Sequence, residues 1–159
     1  MVPGKVLSPQ TTDATISRVA AQAGRESIKL IREFIHTRNS FLAESTISGR
    51  YYLNYAKQAQ EAGFRTILIY IALETPELSA QRVRVRDRVA KGGHDIPLKD
   101  IFRRHPKSLE NLKSYIKAFN IAHIYDNSVD RQWVAGYRNG LLHKKAQSIT
   151  PWLSRLLHT

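Results

Sequence analysis

The chain has 159 residues, of which 42% are hydrophobic and 24% charged, a composition that suits one globular domain with a packed core. It contains no cysteine, which excludes a disulfide framework, thiolate catalysis and a thiolate metal site. The 25 Lys and Arg residues outnumber the 13 Asp and Glu residues and give a net charge of +12, so the surface attracts partners that carry phosphate.

Location and metal content follow from what the sequence lacks. No apolar run reaches the roughly 20 residues that span a bilayer, and the N-terminal segment lacks the apolar centre of a signal peptide. We therefore expect a cytoplasmic protein with no membrane partner. The histidines are scattered, without a second one at ligand spacing, so no metal site is predicted.

The first half of the chain alternates between helical and strand patterns. Residues 1–11 resemble a flexible lead-in, and residues 12–159 are predicted to form one domain that begins with an amphipathic helix ending near Thr37. The apolar run Phe41–Ala43 predicts a short buried strand. A second helix follows Gly49, and the continuous apolar run Thr66–Leu73 predicts a strand that is buried on both faces. Strand, helix and strand would form one βαβ unit of a parallel sheet covered by helices.

The second half continues this pattern and ends differently. A helix is predicted from Thr75–Pro76 to Lys91, and a further helix is predicted to begin at Pro106. Ile121–Tyr125 predicts a third strand, and Asn139-Gly140 favours a type I′ hairpin turn ahead of a short closing helix. The predicted fold class is α/β, with a parallel sheet of about three strands flanked by helices, then a C-terminal hairpin and a short helix.

One polar cluster follows the predicted strand Phe41–Ala43. Ligands bind outside the carboxyl ends of the strands in open α/β sheets, so a carboxylate, hydroxyls and a guanidinium at that edge could hold a polyhydroxylated substrate. The alternative is a strand end where a carboxylate accepts backbone N–H bonds and a serine caps the next helix. The candidate substrate-binding residues are Glu44, Thr46, Ser48 and Arg50.

A second candidate site is basic. Arg84 and Arg88 lie four residues apart beside Gly92-Gly93, and Arg103 and Arg104 follow that hinge. Guanidinium groups bind phosphate oxygens in a fork-like geometry, and glycines permit closure, so these residues could form a phosphate-binding lid. The alternative is a basic helix face exposed to solvent.

Three segments carry a resemblance to a known family. Glu-Ser-Thr-Ile-Ser-Gly-Arg at residues 44–50 resembles the Glu-Thr-Thr-Leu-Ser-Gly-Arg element of zeta-toxin-like P-loop kinases. Arg84–Pro97 is similar to the lid segment of that family, and Tyr125–Ser128 to the loop that borders the adenine. These kinases transfer the ATP γ-phosphate to a hydroxyl, and the zeta toxins act on UDP-N-acetylglucosamine. The resemblance implies a phosphotransferase that uses ATP and Mg²⁺.

The same resemblance implies roles for individual residues. Glu44 and Thr46 match positions that bind the acceptor, a nucleotide or nucleotide sugar. Arg88 and Arg104 match arginines that contact the ATP phosphates, with Arg84 and Arg103 as neighbours that the resemblance does not separate from them. Asp126 and Asn127 match the nucleotide-binding loop, although a turn that ends a strand explains these two residues equally well.

Two elements of the family pattern are missing. The 159 residues contain no Gly-x-x-Gly-x-Gly-Lys-Ser/Thr loop and no segment supplying the catalytic aspartate. The chain is therefore predicted to be an N-terminally truncated kinase domain that binds ATP poorly and has little activity alone. Because the P-loop strand is central in this family, its loss predicts an exposed sheet edge that could bind an antitoxin or a second copy.

Two alternatives remain open. One is a non-catalytic module that binds a partner, including a toxin–antitoxin module. The other is a basic nucleic-acid-binding protein, as the charge of +12 suggests. The sequence shows neither a helix-turn-helix nor an aromatic stacking platform, which argues against nucleic-acid binding.

Overall fold

The computed structural model describes the backbone of residues 13–89 and 96–158, and the side chains of residues 22–83 and 96–157. It shows an α/β protein with five helices and four strands among these residues. The chain divides into two compact units, Met1–Phe41 and Leu42–Thr159. In chain order the elements are α1 (Asp13–Thr37), α2 (Tyr51–Glu61), β1 (Ile67–Ala72), α3 (Pro76–Val89), α4 (Leu98–Ala118), β2 (Ile121–Asp126), β3 (Gln132–Arg138), β4 (Leu141–Lys145) and α5 (Pro151–His158).

The four strands form one open mixed sheet in the order β1-β2-β3-β4. Strands β1 and β2 are parallel and are connected through α3 and α4, with Ile67 opposite Ile121 and Ala72 opposite Asp126. The other two pairings are antiparallel. The predicted hairpin is confirmed, because Asn139 and Gly140 have φ angles of 48° and 78°, as a type I′ turn requires.

The hydrophobic core lies on one face of this sheet, which we call the covered face. Alternate strand residues point to the same face, so Leu68 and Ala72 of β1 share it with Ala122 and Ile124 of β2. Helix α4 contributes the largest buried side chains. The core consists of Ile47, Leu68, Ala72, Leu112, Tyr115, Ile116, Ala122, Ile124, Val134, Ala135 and Leu153.

The prediction that β1 is buried on both faces is wrong. Ile67, Ile69 and Ile71 alternate with the core residues and are 50%, 61% and 48% exposed. An apolar strand of this kind is typical of the middle of a parallel sheet, yet β1 lies at the edge. The opposite edge, β4, contains Lys144 and Lys145, the kind of charged residues that protect natural sheet edges, whereas β1 contains no charged residue.

Two further predictions about elements are wrong. Residues Phe41–Ala43 form no strand, and Leu42 is 84% exposed, so the βαβ unit predicted around α2 is absent. The ring of Phe41 stacks instead on Phe34, with 5.8 Å between centroids. Pro106 does not begin a helix but lies inside α4, where its missing N–H removes one helical hydrogen bond. The buried apolar face of α4 continues past it, which explains why the helix is not interrupted there.

Candidate functional site

Residues 44–50 form an irregular loop that is fixed to helix α4. The Asn111 amide donates a 2.9 Å hydrogen bond to the Ile47 carbonyl, and the Tyr115 hydroxyl donates one of 2.8 Å to the Gly49 carbonyl. Asn111 and Tyr115 lie one turn apart and therefore on one face of α4. The side chain of Ile47, which is 6% exposed, enters the core beside them. Two hydrogen bonds and one buried side chain thus hold this loop in a single conformation.

The backbone of this loop is strained at Ile47. Its φ of 44° lies in the left-handed region, which is a genuine outlier for a β-branched residue. Such residues store about 1–3 kcal/mol and persist only where surrounding contacts determine them, and they are concentrated at functional sites. The hydrogen bonds from Asn111 and Tyr115 to this loop are the contacts that fix the backbone at Ile47. The strain therefore marks the loop as a candidate functional site.

The polar side chains of the loop point mainly to solvent. Glu44, Thr46 and Arg50 are exposed, and Ser48 is partly buried. The hydroxyls of Thr46 and Ser48 lie 3.0 Å apart, and Ser45 accepts a hydrogen bond from the Ile47 N–H. Ser48 does not cap α2, contrary to the alternative considered above, because the residue before that helix is Arg50 and no side chain caps it. A carboxylate, hydroxyls and a guanidinium therefore remain accessible.

The hydroxyl of Tyr115 acts as a permanent hydrogen-bond donor. Burial, followed by the neighbouring Tyr51 and Tyr52, raises the pKa of Tyr115 to about 12. The raised pKa extends to more alkaline pH the range in which the phenol is protonated and donates to the Gly49 carbonyl. The rings of Tyr51 and Tyr52 lie 4.6 Å apart at the start of α2.

Two of the four predicted lid arginines have described side chains. Arg103 and Arg104 lie near the start of α4, and both bind Asp100, with N–O distances of 2.8 Å and 3.5 Å. The hydrogen bond from Arg103 and the charge of Arg104 lower the pKa of Asp100. The side chains of Arg84 and Arg88 lie outside the described residues, as does the predicted Gly92-Gly93 hinge.

Arg104 and the residue that holds the 44–50 loop lie on the same side of helix α4. Arg104 and Asn111 are separated by seven residues, which is about two turns or 10 Å along the axis. At 100° per residue both lie on the same side of the helix, whereas Arg103 is rotated by about a quarter turn. Arg104 is therefore the arginine aligned with the loop that Asn111 holds.

The predicted nucleotide-binding residues make internal contacts. The buried carboxylate of Asp126 accepts hydrogen bonds from the Ser128 N–H, the Ser128 hydroxyl and the Thr150 hydroxyl, at 2.7–2.9 Å. Burial alone would raise the pKa of Asp126, but these hydrogen bonds outweigh it and keep the pKa below its usual value. The Asn127 N–H donates to the Ala72 carbonyl. These contacts favour the interpretation of Asp126 and Asn127 as a turn that ends β2.

Sequence reasoning missed the residues that fix these segments. The guanidinium of Arg82 donates to the carbonyls of Asn127, Ser128 and Val129 and so fixes the loop after β2. Asn111 and Tyr115 were also missed, since nothing local shows that they contact a loop more than 60 residues earlier. Only the spacing of Asp100 three and four residues before its arginines is a readable signal.

The residues present do not provide the donors that would bind a triphosphate with its magnesium ion. The 159 residues contain no glycine-rich phosphate loop, and protein donors occupy the Asp126 carboxylate. Within the described part of the chain, no three His, Cys, Asp or Glu residues come together as a metal-binding group. No helix in that part has both the length and the apolar character needed to cross a membrane.

Comparisons with known proteins find a relative that matches part of the chain. The chain is similar to an uncharacterized protein of Haemophilus influenzae, with 38% identity over 74 residues. The alignment covers 46% of this chain and 51% of that protein, so the chain spans about half the length of its relative. No protein-family model and no solved structure matches the chain. The kinase resemblance therefore stays a prediction.

Proposed function

We propose that this chain is the acceptor-binding part of a zeta-toxin-like kinase domain, with a nucleotide sugar as its ligand and without phosphotransfer activity on its own. The observation that carries this proposal is the alignment of the strained 44–50 loop and Arg104 on one face of α4. Glu44 and Thr46 are exposed on the loop, and they are the positions that the family resemblance assigns to the acceptor.

The chemistry of the loop suits this ligand class. A carboxylate accepts hydrogen bonds from sugar hydroxyls, and Arg50 and Arg104 bind phosphate oxygens. The fixed backbone favours binding because little further ordering is required when the ligand arrives. Arg104 must leave Asp100 to reach a phosphate, so the ion pair at 3.5 Å keeps this cation in place until then.

The absence of phosphate transfer follows from the donor set. Phosphoryl transfer depends on positioned cations and backbone donors around the triphosphate. The 159 residues lack the glycine-rich loop and the lysine that supply them. The open edge of β1 supports the same hypothesis, because a missing central strand would leave such an apolar edge uncovered.

Calorimetric titration with UDP-N-acetylglucosamine tests the acceptor site. We expect measurable binding that Glu44→Gln weakens by about 10- to 100-fold, the cost of losing one hydrogen bond to a charged group. Glu61→Gln is the matched control, because Glu61 is an exposed carboxylate in α2 that pairs with Lys57. Absence of binding, or equal binding by both variants, contradicts the proposal. Phosphate transfer from Mg-ATP by these 159 residues alone contradicts the inactivity that we propose.

A second candidate is a partner-binding module, including recognition of an antitoxin. The exposed isoleucines of β1 and its unprotected edge favour it, because extended segments add to such edges as a further strand. Ile69→Lys should then abolish partner binding or self-association that sedimentation detects in the unmodified chain. Sedimentation as a monomer at all concentrations removes the self-association form of this candidate.

A further inference from the structure

The sheet has a second face, opposite the core, which we call the open face. Strand alternation and register assign its residues. Its aliphatic residues lie mainly on β1, its aromatic residues on the central strands β2 and β3, and its cations on β3 and β4. The open face consists of Ile67, Ile69, Ile71, Ile121, His123, Tyr125, Trp133, Gly136, Arg138, Leu141 and Lys144.

The centre of the open face carries an aromatic platform, whose absence from the sequence pattern was the argument above against nucleic-acid binding; strand pairing assembles it. Tyr125 and Trp133 are directly opposed on neighbouring strands, and both are partly exposed. A β-bulge in β3 turns Val134 and Ala135 into the core, which leaves Trp133 on the open face. Gly136 then leaves room for the indole, since a methyl group there would lie 3.3 Å from the Trp133 ring. Trp133 therefore extends along β3.

A histidine adjoins this platform. The Nδ1 atom of His123 would lie 3.6 Å from a methyl group on Gly136, so the imidazole and the indole flank the same glycine. This nitrogen is buried and has no hydrogen-bond partner among the described residues. Three ring-bearing residues from two adjacent strands thus share the open face.

The charge of the open face has a single sign. None of its residues is acidic, and the sole carboxylate in the four strands is Asp126, which belongs to the opposite face and is satisfied by Ser128 and Thr150. Arg138 lies at the far end of β3 from Trp133, Lys144 is paired with Gly136 on the neighbouring strand β4, and both are exposed. The whole chain adds a net charge of +12.

We propose that the open face binds single-stranded nucleic acid. Bases stack on Tyr125 and Trp133, while Arg138 and Lys144 bind the phosphates. Stacking tolerates any sequence because every base has a π-face, so binding is sequence-tolerant and depends on salt. The face of a four-stranded sheet is wider than the major groove of a duplex, which admits a helix or a two-stranded ribbon. The inference is independent of the kinase proposal, because it uses neither the 44–50 loop nor Arg104.

Fluorescence anisotropy with a labelled 12-nucleotide oligo-uridine tests the inference. We expect Tyr125→Leu and Trp133→Leu each to weaken binding by about 5- to 150-fold, the range for loss of one base–aromatic stack. Binding should also quench the tryptophan fluorescence, and Trp133→Leu should remove that quenching. The remaining tryptophan, Trp152, packs against the covered face and serves as an internal reference.

A charge-matched pair of variants separates a defined site from diffuse attraction. Arg138→Gln with Lys144→Gln should lower the slope of log affinity against log salt by about 1.4, because each single-strand phosphate contact contributes about 0.7. Lys29→Gln with Lys107→Gln removes the same charge from exposed positions on α1 and α4 and should change the slope less. These surface variants stay informative if the aromatic variants unfold.

Three results would overturn the inference. One is an equal loss of affinity in both charge pairs, which indicates diffuse attraction. Another is competition by polyglutamate that matches oligo-uridine, which indicates an acidic polypeptide as the partner. The third is binding of a 12-base-pair duplex as tight as that of the single strand, because stacking on Trp133 requires unpaired bases.

Discussion

The left-handed backbone at Ile47 leads to a quantitative prediction about two substitutions. Ile47→Ala and Ile47→Gly both remove the buried side chain, and we expect each to cost about 2–5 kcal/mol in the free energy of unfolding. Alanine retains a Cβ atom and so keeps the left-handed penalty of about 1–2 kcal/mol at φ of 44°. Glycine removes this penalty but adds about 0.5–1 kcal/mol of backbone entropy.

The matched control is Ala59, which is buried inside α2 with ordinary helical geometry. Ala59→Gly carries the same entropic cost and the loss of a buried methyl, about 0.8 kcal/mol, without any relief of strain. We therefore expect Ala59→Gly to destabilise the protein by about 1–2 kcal/mol. At position 47 the glycine and alanine variants should have free energies of unfolding within about 1 kcal/mol of each other. The relief of backbone strain in the glycine variant offsets its entropic cost and its lost methyl group.

Urea denaturation followed by circular dichroism measures all three variants and the unmodified protein. At each position, the free energy of unfolding with alanine is subtracted from that with glycine. The value for position 47 and the value for position 59 should differ by about 1–2 kcal/mol. If the two differences are equal, residue 47 does not adopt a left-handed backbone. The 44–50 loop is then not a strained, preformed site.

Three further predictions concern the site and the sheet. Tyr115→Phe leaves the Gly49 carbonyl unpaired and should cost about 1–3 kcal/mol in urea denaturation, whereas Tyr51→Phe at a half-exposed ring should change stability by less than about 0.5 kcal/mol. Asp126 has a lowered pKa, so its stabilisation is complete above the unfolded value of 3.8 and is lost as the pH falls through the lower folded value. Unfolding experiments between pH 2 and 7 should show a weaker acid dependence for Asp126→Asn, and an unchanged dependence contradicts that assignment. Ile69→Thr should leave stability within about 0.5 kcal/mol and reduce light scattering at high concentration, whereas Leu68→Thr on the covered face should cost more than about 2 kcal/mol.

The sequence predicted the parts of the fold that local patterns determine. A continuous apolar, β-branched run identified β1, the strand predicted at Ile121–Tyr125 matches β2, and Asn139-Gly140 identified the hairpin turn. The burial of β1 was predicted wrongly because it was inferred from composition alone. An apolar, β-branched strand is typical of a sheet centre, but whether β1 lies at the centre or at the edge depends on which strands pair with it.

The site was less predictable because distant residues build it. The conformation of Ile47 opposes its own preference and depends on Asn111 and Tyr115, 64 and 66 residues away from the groups they bind. Likewise, Tyr125 and Trp133 come together only through the register of β2 and β3 and the bulge between them. In contrast, the pairing of Asp100 with Arg103 and Arg104 follows from helical spacing alone.

The proline inside α4 has a mechanical consequence. Pro106 cannot donate to the carbonyl of Phe102, so the helix is softest between the turn that carries Arg104 and the turn that carries Asn111. Contacts on both sides of this point nevertheless hold the helix in place: Ile101 is buried and the His105 imidazole donates to the Leu73 carbonyl before it, and Leu112 is buried after it. The missing backbone hydrogen bond therefore lies between the two groups whose separation a ligand would have to bridge, and tertiary contacts rather than the helix ladder set that separation.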